Sequence, residues 1–263
     1  MTTMADPRYA GALRLDGKRA LVTGATKGIG ADIARAFASA GARLVLSGRD
    51  ESELGKASSA LSEEFGSEIH TAAVDLADFD GPSELAHRAA EFFGGLDVLV
   101  NNAGVSHPQP VVDTDPASFD ATIAVNLRAP ALLAATVGAA MVTAGAGGSI
   151  IAVASAAALA PLPDHYAYCA SKAGLVMSTK VLARELGPHG IRANSVCPTV
   201  VLTKMGQRVW GEEAKAAPML ARIPLGRFVV PREVSDTVVW LASDAASMIN
   251  GVDIPIDGGY TMG

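Results

Sequence analysis

Residues 19–41 read RALVTGATKGIGADIARAFASAG, and the order of patterns inside this stretch sets the expectation for the fold. Arg19–Thr23 is a short apolar run, a glycine-rich turn follows, and an amphipathic segment then continues to Gly41, which would terminate it. That is strand, loop, helix. Gly24, Gly28 and Gly30 let the backbone approach an anion closely, while the free N–H groups and the positive end of the helix dipole face it. The spacing is G-x-x-x-G-x-G and departs from the G-x-G-x-x-G dinucleotide fingerprint, so the loop alone leaves a plain tight turn as an alternative.

Outward from this unit the alternation repeats. RLVLSGRD (43–50) supplies a second strand whose end decides which dinucleotide fits: an acidic residue binds ribose hydroxyls, an arginine accommodates a 2′-phosphate. The chain offers Arg49, then Asp50. Asp50 with Glu53 reads as a capping box opening the helix ESELGKASSALSEEFG, which leaves Arg49 for the phosphate, with Lys27 joining it from the glycine loop. The two cations together favour NADP(H) over NAD(H). EIHTAAVDLAD is a third strand ending in Asp75, GPSELAHRAAEFFGG a helix, and LDVLVNNAG a fourth strand running into Asn101, Asn102, Ala103 and Gly104. PASFDATIAVNLRAPALLAATVGAAMV reads as one long helix with Asn126 in its interior, where a poor helix former needs a polar contact to justify it. GIRANSVCP is a sixth strand and VDIPIDGG a last strand and turn. Between them TVVLTKMGQRVWGEEAKAAPMLARIPLGRF is irregular, with Pro218 and Pro224, and residues 199–224 are expected to form a lid over a substrate. Strands alternate with helices throughout, without internal repeat or linker, so residues 16–263 are expected to form a single doubly wound α/β domain, with helices on both faces of the sheet.

The chemistry concentrates in SAAALAPLPDHYAYCASK (155–172). Tyr168 and Lys172 are four apart in a segment of helical composition, so both lie on one helix face. A neighbouring ammonium lowers a phenol's pKa from about 10 toward the working pH, as a proton donor to a developing alkoxide requires. Tyr166 is the decoy, because four residues on from it stands Ala170. Ser155 closes the apolar run SIIAVAS and would sit at a strand's carboxyl end, where ligands bind in open α/β sheets, its hydroxyl available to a substrate oxygen.

Composition excludes several classes. The chain has 263 residues, with Lys+Arg 21 against Asp+Glu 27 and a net charge of −6. No basic block is present, which argues against nucleic acid as a partner. Two cysteines, Cys169 and Cys197, are too few for a disulfide framework and point to a reducing, cytoplasmic setting. Residues 1–15 are read as a loose leader without the apolar core of a signal peptide. Apolar stretches such as APALLAATVGAAMV fall short of the roughly 20 residues that span a bilayer, so no membrane partner is expected. No metal-ligand pattern is present.

TGATKGIG at 23–30, NNAG at 101–104, Asn126, Ser155 and YCASK at 168–172 together resemble the short-chain dehydrogenase/reductase family, over nearly the whole chain from Lys18 to Gly259. The resemblance implies a seven-stranded parallel Rossmann-type sheet in a homotetramer, and a hydride-transferring oxidoreductase. It implies that Tyr168 protonates a carbonyl oxygen, that Lys172 lowers the tyrosine pKa and grips the nicotinamide ribose, that Ser155 holds the substrate oxygen, and that Asn126 supports a water leading from Lys172 to solvent. It assigns cofactor contacts to Gly24, Thr26, Lys27, Gly28, Ile29, Gly30 and Arg49, to Asp75 and Leu76 at the adenine, to Asn102, Ala103 and Gly104, and to Val201 and Thr203 at the carboxamide end. One departure stands out: the family's usual Pro-Gly is Pro198-Thr199 here, and threonine does not take left-handed conformations cheaply. A narrower resemblance, in NSVCPTVVLTKM with Lys27 and Arg49, is to the branch of L-xylulose (dicarbonyl) reductases and NADPH-dependent carbonyl reductases. The expected reaction is reduction of a small-molecule ketone, dicarbonyl or ketose by NADP(H). The alternatives are an NAD(H)-dependent polyol or sugar-acid dehydrogenase, a 3-oxoacyl thioester reductase, and a non-catalytic dinucleotide sensor.

Overall fold

A computed structural model describes Gly11 and residues 13–262, apart from the side chains of Met205 and Val209. Most of the expected 1–15 leader, and the side chain of Met205 in the expected lid, lie outside the described residues. Seven parallel strands form one sheet: β1 (Arg19–Thr23), β2 (Arg43–Gly48), β3 (Ile69–Ala73), β4 (Val98–Asn101), β5 (Gly148–Val153), β6 (Ile191–Pro198) and β7 (Asp253–Ile256). Their order is β3-β2-β1-β4-β5-β6-β7, so the direction of winding reverses between β1 and β4. At such a switch point the loops leaving neighbouring strands diverge and open a crevice. The glycine turn after β1 and the Asn101–Gly104 turn after β4 therefore border the same cleft.

Alternation along each strand assigns its side chains to two cores. In β1, Ala20 and Val22 face one core while Leu21 faces the other, as the two-residue period requires. The first core is covered by α1 (Gly28–Ser39), α2 (Glu51–Phe65) and α9 (Pro231–Ala242), through Ile33, Phe37, Leu54, Val234 and Val238. The second is covered by α3 (Gly81–Phe93), α5 (Ala129–Ala144) and α6 (Tyr166–Leu186), through Leu85, Leu133, Val137 and Met141. Each fully buried Leu, Ile or Phe contributes roughly 1.5–3 kcal/mol relative to exposure. The cores hold the sheet rigidly beneath the cleft.

Several sequence expectations are amended. The long helix around Asn126 is continuous over the 29 residues Pro116–Ala144, but α4 (Pro116–Ile123) passes into a π-helical turn at Ala124–Arg128 before α5 begins. That run is long and apolar enough by composition to cross a bilayer, contrary to the shorter estimate from sequence; its Leu133, Val137 and Met141 are packed into the second core. The 199–224 segment contains two short helices, α7 (Lys204–Trp210) and α8 (Glu213–Leu220, with Pro218 inside it). β3 stops at Ala73, two residues before Asp75, and β5 at Val153, two before Ser155. Among the described residues, Asp164 is the one non-glycine with positive φ. Thr199 therefore needs no left-handed backbone, and its N–H donates to the Ile256 carbonyl at 3.2 Å.

Candidate active site

The glycine loop is shaped by two requirements. Gly24 and Gly28 adopt φ of +64° and +61°, which side chains strain to adopt. Gly30 is needed for space: a β-carbon there would stand 2.2 Å from the Gly24 carbonyl oxygen and 2.3 Å from Asn102 Nδ2. Asn102 Nδ2 instead donates to the carbonyls of Thr23 (2.9 Å) and Gly24 (3.3 Å). Thr23 Oγ1 accepts from the N–H groups of Asn102 and Ala103, both at 3.0 Å. Helix α1 starts from Lys27 without a side-chain cap and carries no acidic residue in its first turn. Its leading N–H groups and positive dipole end are left for an anion, so the cradle fits a dinucleotide pyrophosphate. Thr203 reaches it from the far side, since a β-carbon on Gly28 would lie 3.5 Å from Thr203 Cγ2.

Other expected cofactor positions fall into place unevenly. Thr26 approaches Gly48, whose added β-carbon would be 3.3 Å from Thr26 Cγ2. Ile29 turns its side chain into the first core. Arg49 is exposed just beyond the end of β2, and Asp50 caps α2 by accepting from the Glu53 N–H at 3.0 Å. The Lys27 ammonium is exposed and faces the Glu53 carboxylate at 3.7 Å, Glu53 lying in the first turn of the helix beside it. Asp75 is exposed and accepts from the Ala77 N–H, while Leu76 is buried in the second core. Val201 bridges to Val229 and packs on the first core.

Across the cleft, β5 and α6 assemble the polar set. Ser155 Oγ lies beside the Tyr168 phenol, whose proton affinity it lowers, and accepts from the Ala157 N–H at 3.1 Å. Lys172 is 4% exposed, donates to the Val153 carbonyl at 2.8 Å, and stands 5.8 Å from the centroid of the Tyr168 ring. Asn126, fully buried in the π-helical turn, accepts from the Val105 N–H (2.8 Å) and donates to the Val105 carbonyl (2.8 Å) and Ser171 Oγ (3.2 Å). A β-carbon on Gly104 would sit 3.3 Å from Asn126 Oδ1 and 3.6 Å from Lys172 Nζ. Ser155, Tyr168, Lys172, Asn126 and Gly104 thus form one constellation, while Tyr166 is exposed at the start of α6.

The electrostatics depart from the sequence expectation. Burial raises the Tyr168 pKa, the Ser155 hydrogen bond pulls it back, and the nearby Cys169 and Cys197 thiols raise it further. Burial also lowers Lys172 to about 8. A half-desolvated phenol and a desolvated ammonium each resist ionisation, so the protein alone does not make the phenolate that the Tyr–Lys spacing suggests. Burial takes the Cys197 thiol up to about 12, which makes it an inert core residue.

Sequence reading passed over Thr23 and Val105, which anchor Asn102 and Asn126. Thr23 stood inside the TGATKGIG motif, but the backbone partners of a side chain have no sequence signal.

Comparison with known proteins agrees with this geometry. The family model described as enoyl-(acyl carrier protein) reductase matches residues 24–261. The L-xylulose reductase of Bos taurus is 45% identical over 248 residues, 94% of this chain and 98% of that protein. The D-threitol dehydrogenase of Mycolicibacterium smegmatis is 46% identical over 253 residues, 95% of each. The chain belongs to the short-chain dehydrogenase/reductase family. It is an oxidoreductase of a family that uses NAD(P). A solved member, a gluconate 5-dehydrogenase from Burkholderia cenocepacia in complex with NADP and tartrate, superposes with a TM-score of 0.91 at 30% identity, over 96% of this chain and 98% of that one.

Proposed function

We propose that this short-chain dehydrogenase/reductase is an NADP(H)-dependent carbonyl reductase acting on a short ketose or an α-dicarbonyl compound, and on the corresponding secondary alcohol in reverse. The observation that carries the reading is the buried Lys172 ammonium 5.8 Å from the Tyr168 ring centroid, with Asn126 beside it across Gly104. The bound nicotinamide supplies the hydride; the chain supplies position, dryness and a proton. Gly24, Gly28 and Gly30 with the uncapped start of α1 hold the pyrophosphate, and Thr203 closes over them. Arg49, exposed just beyond β2, takes the adenosine 2′-phosphate, with Lys27 of the glycine loop. Asp75 and Leu76 border the adenine, and Asn102, Ala103, Gly104 and Val201 line the remainder of the groove.

Ser155 Oγ and the Tyr168 hydroxyl together donate to the carbonyl oxygen, and the phenolic proton passes to that oxygen as it becomes an alkoxide. A phenol held above its usual pKa stays protonated through the neutral range, the form that reduction needs. Alcohol oxidation needs the phenolate and is accordingly favoured at higher pH. Lys172 grips the nicotinamide ribose and, with Asn126 across Gly104, returns a proton to Tyr168 through water. Residues 199–224 act as the lid, anchored by its own Trp210 and Met219 packed with Phe228 and Tyr260. The exposed apolar Leu132, Met177 and Val181 on α5 and α6 support burial between copies in a homotetramer, and two free cysteines suit a reducing cytoplasm.

The D-threitol dehydrogenase relative favours oxidation of a short polyol, a second reading that we pair with NAD(H). NADPH and NADH oxidation compared across L-xylulose, diacetyl and an acetoacetyl thioester decides between them. The expected result is an NADPH preference with turnover of the ketose or the dicarbonyl. NADH preference transfers the assignment to the second reading, and turnover of the thioester alone overturns both.

A further inference from the structure

Glu53 stands in the first turn of α2, three residues after the capping residue Asp50. At that position a glutamate ordinarily folds back to accept from the N–H of the capping residue, which completes a reciprocal capping box. Here one half of the box is formed. The Asp50 carboxylate accepts from the Glu53 N–H at 3.0 Å, but among the described residues no bond runs back from the Asp50 N–H to the Glu53 carboxylate. That carboxylate instead meets the Lys27 ammonium at 3.7 Å, with the two side chains 48% and 77% exposed.

The backbone brings these residues together. In the glycine loop, the Ala25 N–H donates to the Ser47 carbonyl of β2 at 3.0 Å. A β-carbon on Gly48, at the end of β2, would stand 3.3 Å from Thr26 Cγ2 and 3.6 Å from Leu54 Cδ2. Thr26 directly precedes Lys27 and Leu54 directly follows Glu53, so the loop and the helix turn press on the same point. Of the two cations assigned to the 2′-phosphate, Lys27 thus already faces an anion.

Resting on the NADP(H) reading, we infer that Glu53 is a cofactor-selectivity residue: it competes with the adenosine 2′-phosphate for Lys27, and so weakens NADP(H) binding while leaving NAD(H) binding unaltered. A phosphate monoester is nearly doubly charged at neutral pH. On its arrival Lys27 leaves the carboxylate, and Glu53 is left near a like charge without its partner. NAD(H) brings a neutral ribose hydroxyl in place of the phosphate, and the Lys27–Glu53 pair persists. Because both side chains are solvated, the competition is worth severalfold in affinity rather than orders of magnitude. Glu53 keeps the preference for NADP(H) narrower than Arg49 and Lys27 alone would set it.

The test is Glu53→Gln in the unliganded protein, titrated with NADPH and with NADH by cofactor fluorescence. Glutamine keeps the backbone N–H that Asp50 caps, so the melting temperature should match that of the parent. The NADPH dissociation constant is expected to fall about three- to tenfold, with that of NADH within about twofold of the parent. At about 1 M salt, where charges are screened beyond roughly 3 Å, the gain should vanish. With Lys27→Met already present, the same substitution should move NADPH binding by less than about twofold. An NADPH constant unchanged by Glu53→Gln overturns the inference. So does an equal tightening of NADH, or an equal gain with and without Lys27, which would mean that the carboxylate acts on the phosphate directly. In each of these cases a parent that binds NADPH more tightly than NADH leaves the NADP(H) reading standing. A parent that prefers NADH overturns that reading by itself, and the inference then stands or falls on whether Glu53→Gln tightens NADPH alone.

Discussion

The two sides of the cleft are built on opposite principles. On the β5–α6 side the polar groups are tied down: Lys172 to the Val153 carbonyl, Asn126 to both backbone atoms of Val105 and to Ser171, and Ser155 to the Ala157 N–H. On the β2 side, Arg49 is exposed and Lys27 meets Glu53 across 3.7 Å. Buried groups cannot change without disturbing their neighbours, whereas an exposed ion pair at such a distance contributes roughly 0–1 kcal/mol and is easily exchanged. On the proposed reading the chemistry is therefore locked into the fold, and the choice of dinucleotide is left on its surface.

Substitutions should separate the two sides. The largest effect is expected from Tyr168→Phe, which removes the proton donor: kcat should fall about 10³-fold, while NADPH binding, followed by fluorescence titration, stays within severalfold of the parent. Comparable turnover in the two proteins would end the acid role.

Lys172→Met should show that the locked side is costly to hold. The folded chain releases this proton at about pH 8, below the ordinary 10.5. Below pH 8 folded and unfolded chains both carry the charge, so the burial penalty is fully present; between about 8 and 10.5 only the unfolded chain does, and stability rises with pH across that window. At pH 7 the unliganded methionine variant should be more stable than the parent by roughly 3 kcal/mol, with the advantage shrinking toward pH 10.5 and activity lost throughout. Melting curves across that pH range check the sign; a parent more stable at pH 7 would mean that the ammonium's bonds outweigh its burial.

The smallest effect belongs to the open side. Arg49→Asp should shift the NADPH/NADH ratio of kcat/KM by about tenfold to a hundredfold toward NADH, with the melting temperature almost unmoved. A ratio that stays put would remove Arg49 from the cofactor site.

The legibility of these features in the sequence follows their physical origin. Glycine loops, strand–helix alternation and the Tyr168–Lys172 spacing are local, and residue type with spacing was enough to place them. The Tyr168 pKa was misjudged because spacing reports a neighbouring charge but not the desolvation that opposes it. The Lys27–Glu53 pair had no sequence signal, because Glu53 is far from Lys27 in sequence and is brought alongside only when α1 and α2 follow adjacent strands. The π-helical turn that carries Asn126 has the composition of ordinary helix, and its extra residue per turn has no sequence signature.

The sheet order has a consequence for how the chain matures. β1 is made first, yet it lies between β2 and β4, and its register with β4 pairs Ala20 with Val98 and Val22 with Val100. During synthesis β1, β2 and β3 can pair as soon as they emerge, but the inner edge of β1 stays open until β4 has left the ribosome. Asn102, whose amide fills the space that Gly30 leaves free, arrives only then. The crevice between β1 and β4 thus forms only once residues 98–104 have been made, and the same pairing covers the inner edge of β1 that would otherwise invite aggregation.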